Sequence, residues 1–366
     1  MALMYDSFID LRDTWAECLG HMGRYRMAME VDDIRDREIW KSVSRDWYSE
    51  VSNNQPTEGR LYHDLAILAR PDPLEQLFYY TKSLNVSKPF HSTLETIQTL
   101  FNPILDPTNI LHSSLHPAEI AVLRTVSNLY SSLDEHIVAT KKQWMKSGYF
   151  IAISVCSTFS YCIREHTMSS PLPKYLNAAS SSPDSTSDSD TIVSEPDTAM
   201  LEVTTITLLA VTCEIVLRRI NDQNVVPFLH VVLVFIYYFT QFPAAMCFIE
   251  TIFPWKLLSN QLNSLLSSYQ SYDRIHNEEF PRQDGKSILC PLPEDFAMRG
   301  LIWTEGYFPC GWFSQDMNFR ASAELDRKER VLWIACRIAK LSKWLTYYEA
   351  GHTYNVVSSY EEQIES

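Results

Sequence analysis

The residues with the strongest claim to chemistry stand in LGHMGRYR, residues 19–26. Arg24 offers a planar guanidinium and Tyr25 a hydroxyl beside it, a pairing suited to phosphate. Gly20 and Gly23 let another helix approach closely. The same arginine also serves to cap a neighbouring helix, and spacing alone leaves both readings open. A second candidate is the segment Arg327 to Trp344. There Arg327, Lys328, Arg330, Arg337, Lys340 and Lys343 surround Leu332, Ile334, Ile338 and Leu341, the pattern of a basic amphipathic helix. Clustered cations of this kind neutralise the phosphates of RNA or single-stranded DNA. Lys141, Lys142 and Lys146 flank Trp144 in a smaller cluster, which reads as a solvated helix face.

Other chemistries lack their residues. The chain carries no phosphate-cradling glycine loop, nucleophile elbow, HExxH or paired-cysteine motif, and its histidines are dispersed. No catalytic acid or base is assigned, so the reading is a non-enzyme with no cofactor or metal. The eight cysteines are scattered without a CxxC pair and read as buried thiols of a reducing compartment. A formal net charge of −14 argues against nucleic-acid binding over the whole surface, so any such contact must use a local patch.

The elements that must position these residues are helices. Only 9 glycines in 366 residues, 46% hydrophobic content and repeated 3.6-residue periods predict an all-α protein. Residues 1–30 read as one helix with Phe8, Leu11, Trp15, Leu19, Met22 and Tyr25 or Arg26 on successive turns of one face, and Ile39 to Val51 as a second. Gly59 to Phe90 reads as a helical hairpin. Leu61, Tyr62, Leu65, Ala66, Leu68 and Ala69 face Leu74, Leu77, Phe78, Thr81 and Leu84 across a turn at Arg70-Pro71-Asp72-Pro73. Asp72 caps the second helix, Pro73 opens it, and Glu75 is expected to complete a capping box. Further helices are predicted over Thr93–Leu100, His116–Leu133, Ser147–Ile163, Leu201–Ile220, Trp255–Tyr269 and a short one from Leu292 that Gly300 ends. Phe228 to Phe253 is long and apolar, but His230, Gln241, Pro243 and Glu250 interrupt it, so a buried helix pair broken at Pro243 is expected instead of a membrane span. Ser169 to Met200 is rich in Ser, Thr, Pro and Asp without an apolar period and reads as a disordered insertion.

GRLYHDLAILARPDPLEQLFYYTKSLNVSKPF, residues 59–90, resembles the signature of the ever-shorter-telomeres type family of telomerase-associated proteins and nonsense-mediated mRNA decay adaptors. Gly59, Tyr62, Leu65, Ala66, Tyr79, Tyr80, Pro89 and Phe90 carry the likeness. LGHMGRYR, FPWKLLSNQLNSLL at 253–266 and LPEDFAMRGL at 292–301 extend it. The resemblance implies a 14-3-3-like tetratricopeptide domain of degenerate helical repeats, here residues 1–105 and truncated at its N-terminus. A superhelix of helical hairpins of the DNA/RNA-binding type follows, at 106–168 and 201–350; residues 351–366 read from their own composition as a polar, acidic tail. It implies a phosphoserine contact for Arg24 and Tyr25, although His21 stands where the family has an acidic residue. It further implies a nuclear or cytoplasmic adaptor that holds a phosphorylated or other protein partner, with RNA or single-stranded DNA as a second ligand, no membrane and no nuclease activity.

Overall fold

The computed structural model describes residues 5, 11–30, 33–101, 132–166, 195–281, 291–314 and 323–361. These residues are mostly helical. They fall into two compact units, Met1–Ile104 with Arg299–Ile302, and Leu105–Met298 with Trp303–Ser366.

The first unit holds α1 (Arg12–Met29), α2 (Ile34–Asn54), α3 (Gly59–Leu68), α4 (Pro73–Leu84) and α5 (Thr93–Phe101). The expected apolar face of α1 is not the face that packs on α2. Ala16, Gly20 and Gly23 are buried, whereas Leu11 and Met22 are 50% and 55% exposed. The physical reason is close approach. A Cβ on Gly20 would stand 2.9 Å from the Tyr48 ring and one on Gly23 3.1 Å from Ser44 Cβ, and Ser44 Oγ donates to the Gly20 carbonyl at 2.7 Å. Stripes of small and of large residues share one helical period, so periodicity alone does not say which is buried.

The hairpin α3–α4 forms as its sequence predicts. The Asp72 carboxylate accepts from the amides of Leu74 and Glu75 at 3.0 Å each, and Pro73 occupies the first turn. Glu75 differs from expectation: its carboxylate pairs with Arg45 on α2, while the Asp72 amide donates to the Ala69 carbonyl at 2.9 Å. The loops flanking the hairpin are tied by backbone. Gly59 N–H donates to Lys88 O at 2.9 Å, and Leu301 bridges Val86 while Ile302 N–H donates to Asn85 O at 2.9 Å. Gly300, at φ +85°, makes this pairing feasible, because a Cβ there would stand 2.0 Å from the Pro56 carbonyl oxygen.

The second unit holds α6 (Trp144–His166), α7 (Glu195–Leu217), α8 (Val226–Phe239), α9 (Pro243–Glu250), α10 (Trp255–Ser267), α11 (Tyr272–His276), α12 (Pro293–Met298), α13 (Ala323–Lys340) and the strands β1 (Leu345–Tyr348) and β2 (Thr353–Val356). The centre is α8, apolar nearly all round, with Phe235 and Phe239 packed against Phe159 of α6. Pro243 opens α9 after a break at Thr240–Phe242, as expected. No helix among the described residues is long and apolar enough to cross a membrane.

Three expectations change here. Helix α7 begins at Glu195, inside the segment read as a disordered insertion; residues 169–194 of that segment, with most of the predicted His116–Leu133 helix, lie outside the described residues. Helix α13 spans Ala323–Lys340, so it begins ahead of the expected start and ends before Lys343 and Trp344. The tail expected from residue 351 contains β2, which pairs antiparallel with β1. Tyr354 in β2 is 1% exposed: its N–H donates to Asn263 Oδ1, its carbonyl accepts from Ser259 and Asn263, and its hydroxyl donates to Leu332 O. Four-residue strands are too short for alternation to stand out among polar neighbours.

Candidate functional site

Arg24 follows Gly23 in α1 and is half-buried. Its Nη2 stands 3.7 Å from Asp64 Oδ1 on α3, and its guanidinium carbon is 5.5 Å from the centre of the Tyr25 ring. The Nε is buried and meets no hydrogen-bond partner among the described residues, while the side chain as a whole is 24% exposed. Tyr25 is 62% exposed, so the two residues of the sequence pair differ: one is wedged against α3, the other faces solvent.

Around Arg24 the structure assembles residues that sequence reasoning passed over. Tyr48 of α2, fully buried, meets His21 Nδ1 at 2.6 Å and lies beside Arg24; His21 Nε2 stands 3.3 Å from Glu17, which Arg60 of α3 also holds. Burial, then the charge of Asp64, push the Tyr48 hydroxyl pKa up, and it stays protonated. Burial lowers the His63 pKa against the opposing pull of Asp64. Glu17, His21 and Arg24 share one flank of α1 at i, i+4 and i+7. Their partners lie 24 to 43 residues away and carry no local signal.

The basic helix presents a different picture. Arg327 makes a two-point contact with Glu294 of α12, Nε to Oε1 and Nη2 to Oε2, and His230 Nδ1 of α8 approaches the same carboxylate at 3.4 Å. Burial by itself would raise the Glu294 pKa, but the bonds from Arg327 and His230 more than reverse this and hold it well below the carboxylate range. Arg330 pairs with Asp295, which also accepts from the Trp312 indole at 3.2 Å and from the Leu292 amide at 2.8 Å. The Arg330 guanidinium lies 4.7 Å from the centre of the Trp312 ring and 5.3 Å from that of Phe280. Lys328 Nζ donates to Ser268 Oγ, and Arg337 lies over Trp333 and donates to the Ile275 carbonyl. Arg327, Lys328 and Arg330 are 7%, 8% and 2% exposed, so of the six cations expected to meet nucleic acid these three face protein. Lys340 and Lys343 are exposed at the helix end. The signal for this arrangement was in the sequence: Glu294 and Asp295 of LPEDFAMRGL match Arg327 and Arg330, two adjacent carboxylates against cations three residues apart.

No family model matches this chain. Among the described residues no three His, Cys, Asp or Glu side chains converge to hold a metal ion. Cys156, Cys162, Cys213 and Cys336 are buried as expected, whereas Cys247 and Cys310 are exposed. In the smaller lysine cluster Trp144 is fully buried while Lys141 and Lys142 face outward.

Proposed function

We propose that the chain is a non-enzymatic helical adaptor that holds a protein partner through the first unit, with Arg24 and Tyr25 contacting a phosphoserine or similar anion. The observation that carries this reading is the incomplete satisfaction of Arg24. Among the described residues its Nε is buried without a hydrogen-bond partner, Tyr48 meets another part of the guanidinium, and the Asp64 carboxylate stands at 3.7 Å, too far for a good two-point pair. A phosphate has enough acceptor oxygens to take up the remaining N–H groups, with the exposed Tyr25 hydroxyl alongside. The successive helix pairs α1–α2 and α3–α4, over Arg12–Asn54 and Gly59–Leu84, support a scaffold of stacked helices, the coarse form of a 14-3-3-like repeat architecture. On the resemblance of its sequence blocks, the adaptor works in RNA surveillance or telomere maintenance, in nucleus or cytoplasm.

The experiment is a titration of a fluorescent phosphoserine peptide and its unphosphorylated twin against wild type and Arg24→Ala. Phosphate-dependent binding that the substitution abolishes supports the reading. Equal, negligible binding by both proteins removes it.

A second reading keeps Lys340 and Lys343, both exposed, as contacts for RNA or single-stranded DNA at the end of α13. Two phosphate contacts predict weak binding, detectable only at low salt, with a shallow salt slope. Undetectable binding at low salt eliminates it.

A further inference from the structure

Helix α1 has two contrasting faces, and α2 covers one of them. Ala16, Gly20 and Gly23 are buried there. About 150° round the helix lies a second stripe, formed by Leu11 at the cap and then Trp15, Cys18, Met22, Tyr25 and Met29. Its members alternate four and three residues apart, which is the heptad spacing of a coiled-coil seam. Leu11, Met22, Tyr25 and Met29 are exposed, Met29 at 74%, while Trp15 and Cys18 are half-buried.

The edges of the stripe select what can cover it. With Trp15, Met22 and Met29 at heptad position a and Leu11, Cys18 and Tyr25 at d, one edge is Arg12, Leu19 and Arg26, and the other is Thr14, His21 and Ala28. Neither edge holds a carboxylate. Arg12 lies over the Tyr5 ring with Glu50 at 3.9 Å, and Arg26 pairs with Glu30 at 2.9 Å. In each ion pair the arginine is the more exposed member, 54% against 38% and 48% against 16%, so the charge presented outward is positive. A second copy of this helix laid antiparallel would bring the arginine edges together, and one laid parallel would set Arg26 against His21. A lipid surface is poorly matched as well. Helices that lie in it set a broad apolar face against a strongly basic one, whereas this stripe covers about 80° and the polar remainder includes Asp13, Glu17 and Glu30. A helix with carboxylates along its own edges meets both arginines.

We propose that the outer face of α1 is a docking surface for an amphipathic helix of a partner protein, whose apolar a and d residues seat between Leu11 and Met29 and whose edges carry Asp or Glu. Arg24, which reaches Asp64 of α3, is not part of the stripe, so the surface does not depend on Arg24 being an anion contact. The test titrates the full chain into two labelled three-heptad peptides at low salt, both with Leu at a and d, one with Glu and the other with Lys at e and g. Like-charged edges keep each peptide from pairing with itself. The Glu-edged peptide is expected to bind roughly five- to tenfold tighter, because two edge pairs turn from attractive to repulsive in its twin. That preference runs against the chain's formal net charge of −14, which by itself favours the Lys-edged peptide. Arg12→Glu with Arg26→Glu should reverse the preference, and Met22→Glu, at an exposed position, should abolish binding of both peptides. Met29→Glu gives the same readout should Met22→Glu lower the unfolding midpoint. Equal binding of the two peptides overturns the acidic partner, and no binding of either overturns the surface. Sedimentation of the chain alone and flotation with phosphatidylserine vesicles report the other occupants. Self-association or vesicle binding that Met22→Glu removes assigns the face to a second copy or to lipid and overturns the proposal.

Discussion

Replacing Arg327 with methionine separates a structural from a nucleic-acid role for the basic helix. The substitution keeps the volume and apolar stem and removes the charge, leaving Glu294, itself fully buried, with the His230 ring at 3.4 Å and the more distant charge of Arg330. Removing one member of a buried ion pair costs about 3–5 kcal/mol, because the other is left without compensation. For a unit of this size that corresponds to a drop in Tm of roughly 6–20 °C. The double variant Glu294→Gln with Arg327→Met removes both charges and should recover about 1–3 kcal/mol relative to the sum of the single losses. The pH dependence has a definite sign. Glu294 has its folded pKa depressed by Arg327 and His230, so the pair's contribution is present above the unfolded carboxylate pKa of about 4.3 and is lost as pH falls toward the folded value. Urea denaturation followed by tryptophan fluorescence, with Trp312 and Trp333 close to the network, measures the gap between wild type and Arg327→Met at pH 7 and again below pH 4. The gap should narrow in acid. A cost under about 1 kcal/mol at pH 7, the range of exposed ion pairs, or a gap independent of pH, would refute the buried-pair reasoning.

Gly300→Ala should destabilise the first unit by about 3 kcal/mol or more, since its Cβ would meet the Pro56 carbonyl at 2.0 Å and its φ is +85°. Gly306→Ala, at φ +74° with nothing within 4 Å of the added Cβ, should cost only about 1–2 kcal/mol in the same denaturant assay. Similar costs at both positions would mean that the close contact at Gly300 is absent. Lys82 is buried beside the Tyr62 ring, and burial, with the charge of Arg299, brings its pKa down to about 7. Between that value and the unfolded lysine range the unfolded chain binds the extra proton, so stability should rise with pH from about 7 to 10, and Lys82→Met should remove that rise. Parallel pH profiles for the two proteins would exclude it. Reversing Lys340 and Lys343 to glutamate should leave the unfolding midpoint within about 0.5 kcal/mol of wild type, as for exposed residues generally, while abolishing any low-salt RNA binding measured by gel shift. Retained binding would place the nucleic-acid contact elsewhere.

Much of the helical framework was legible in residue order. Asp72 and Pro73 mark the start of α4, Pro243 the break between α8 and α9, and Gly300 the end of the α12 segment, because caps and breakers act on neighbouring amides within a turn or two. What the sequence by itself determined is therefore the helical character, the hairpin and the presence of a guanidinium and a hydroxyl at Arg24 and Tyr25. Tertiary structure decided the rest. It turned the small face of α1 inward and left Leu11 and Met22 outside, since two helical stripes satisfy the same period and only the shape of α2 selects between them. It drew Tyr48 and Asp64 to Arg24, and Glu294 and Asp295 to Arg327 and Arg330. A basic helix has the same sequence whether its cations face water or buried carboxylates. Which of the two holds depends on the charges that folding brings opposite them, and those charges lie 33 and 35 residues away along the chain.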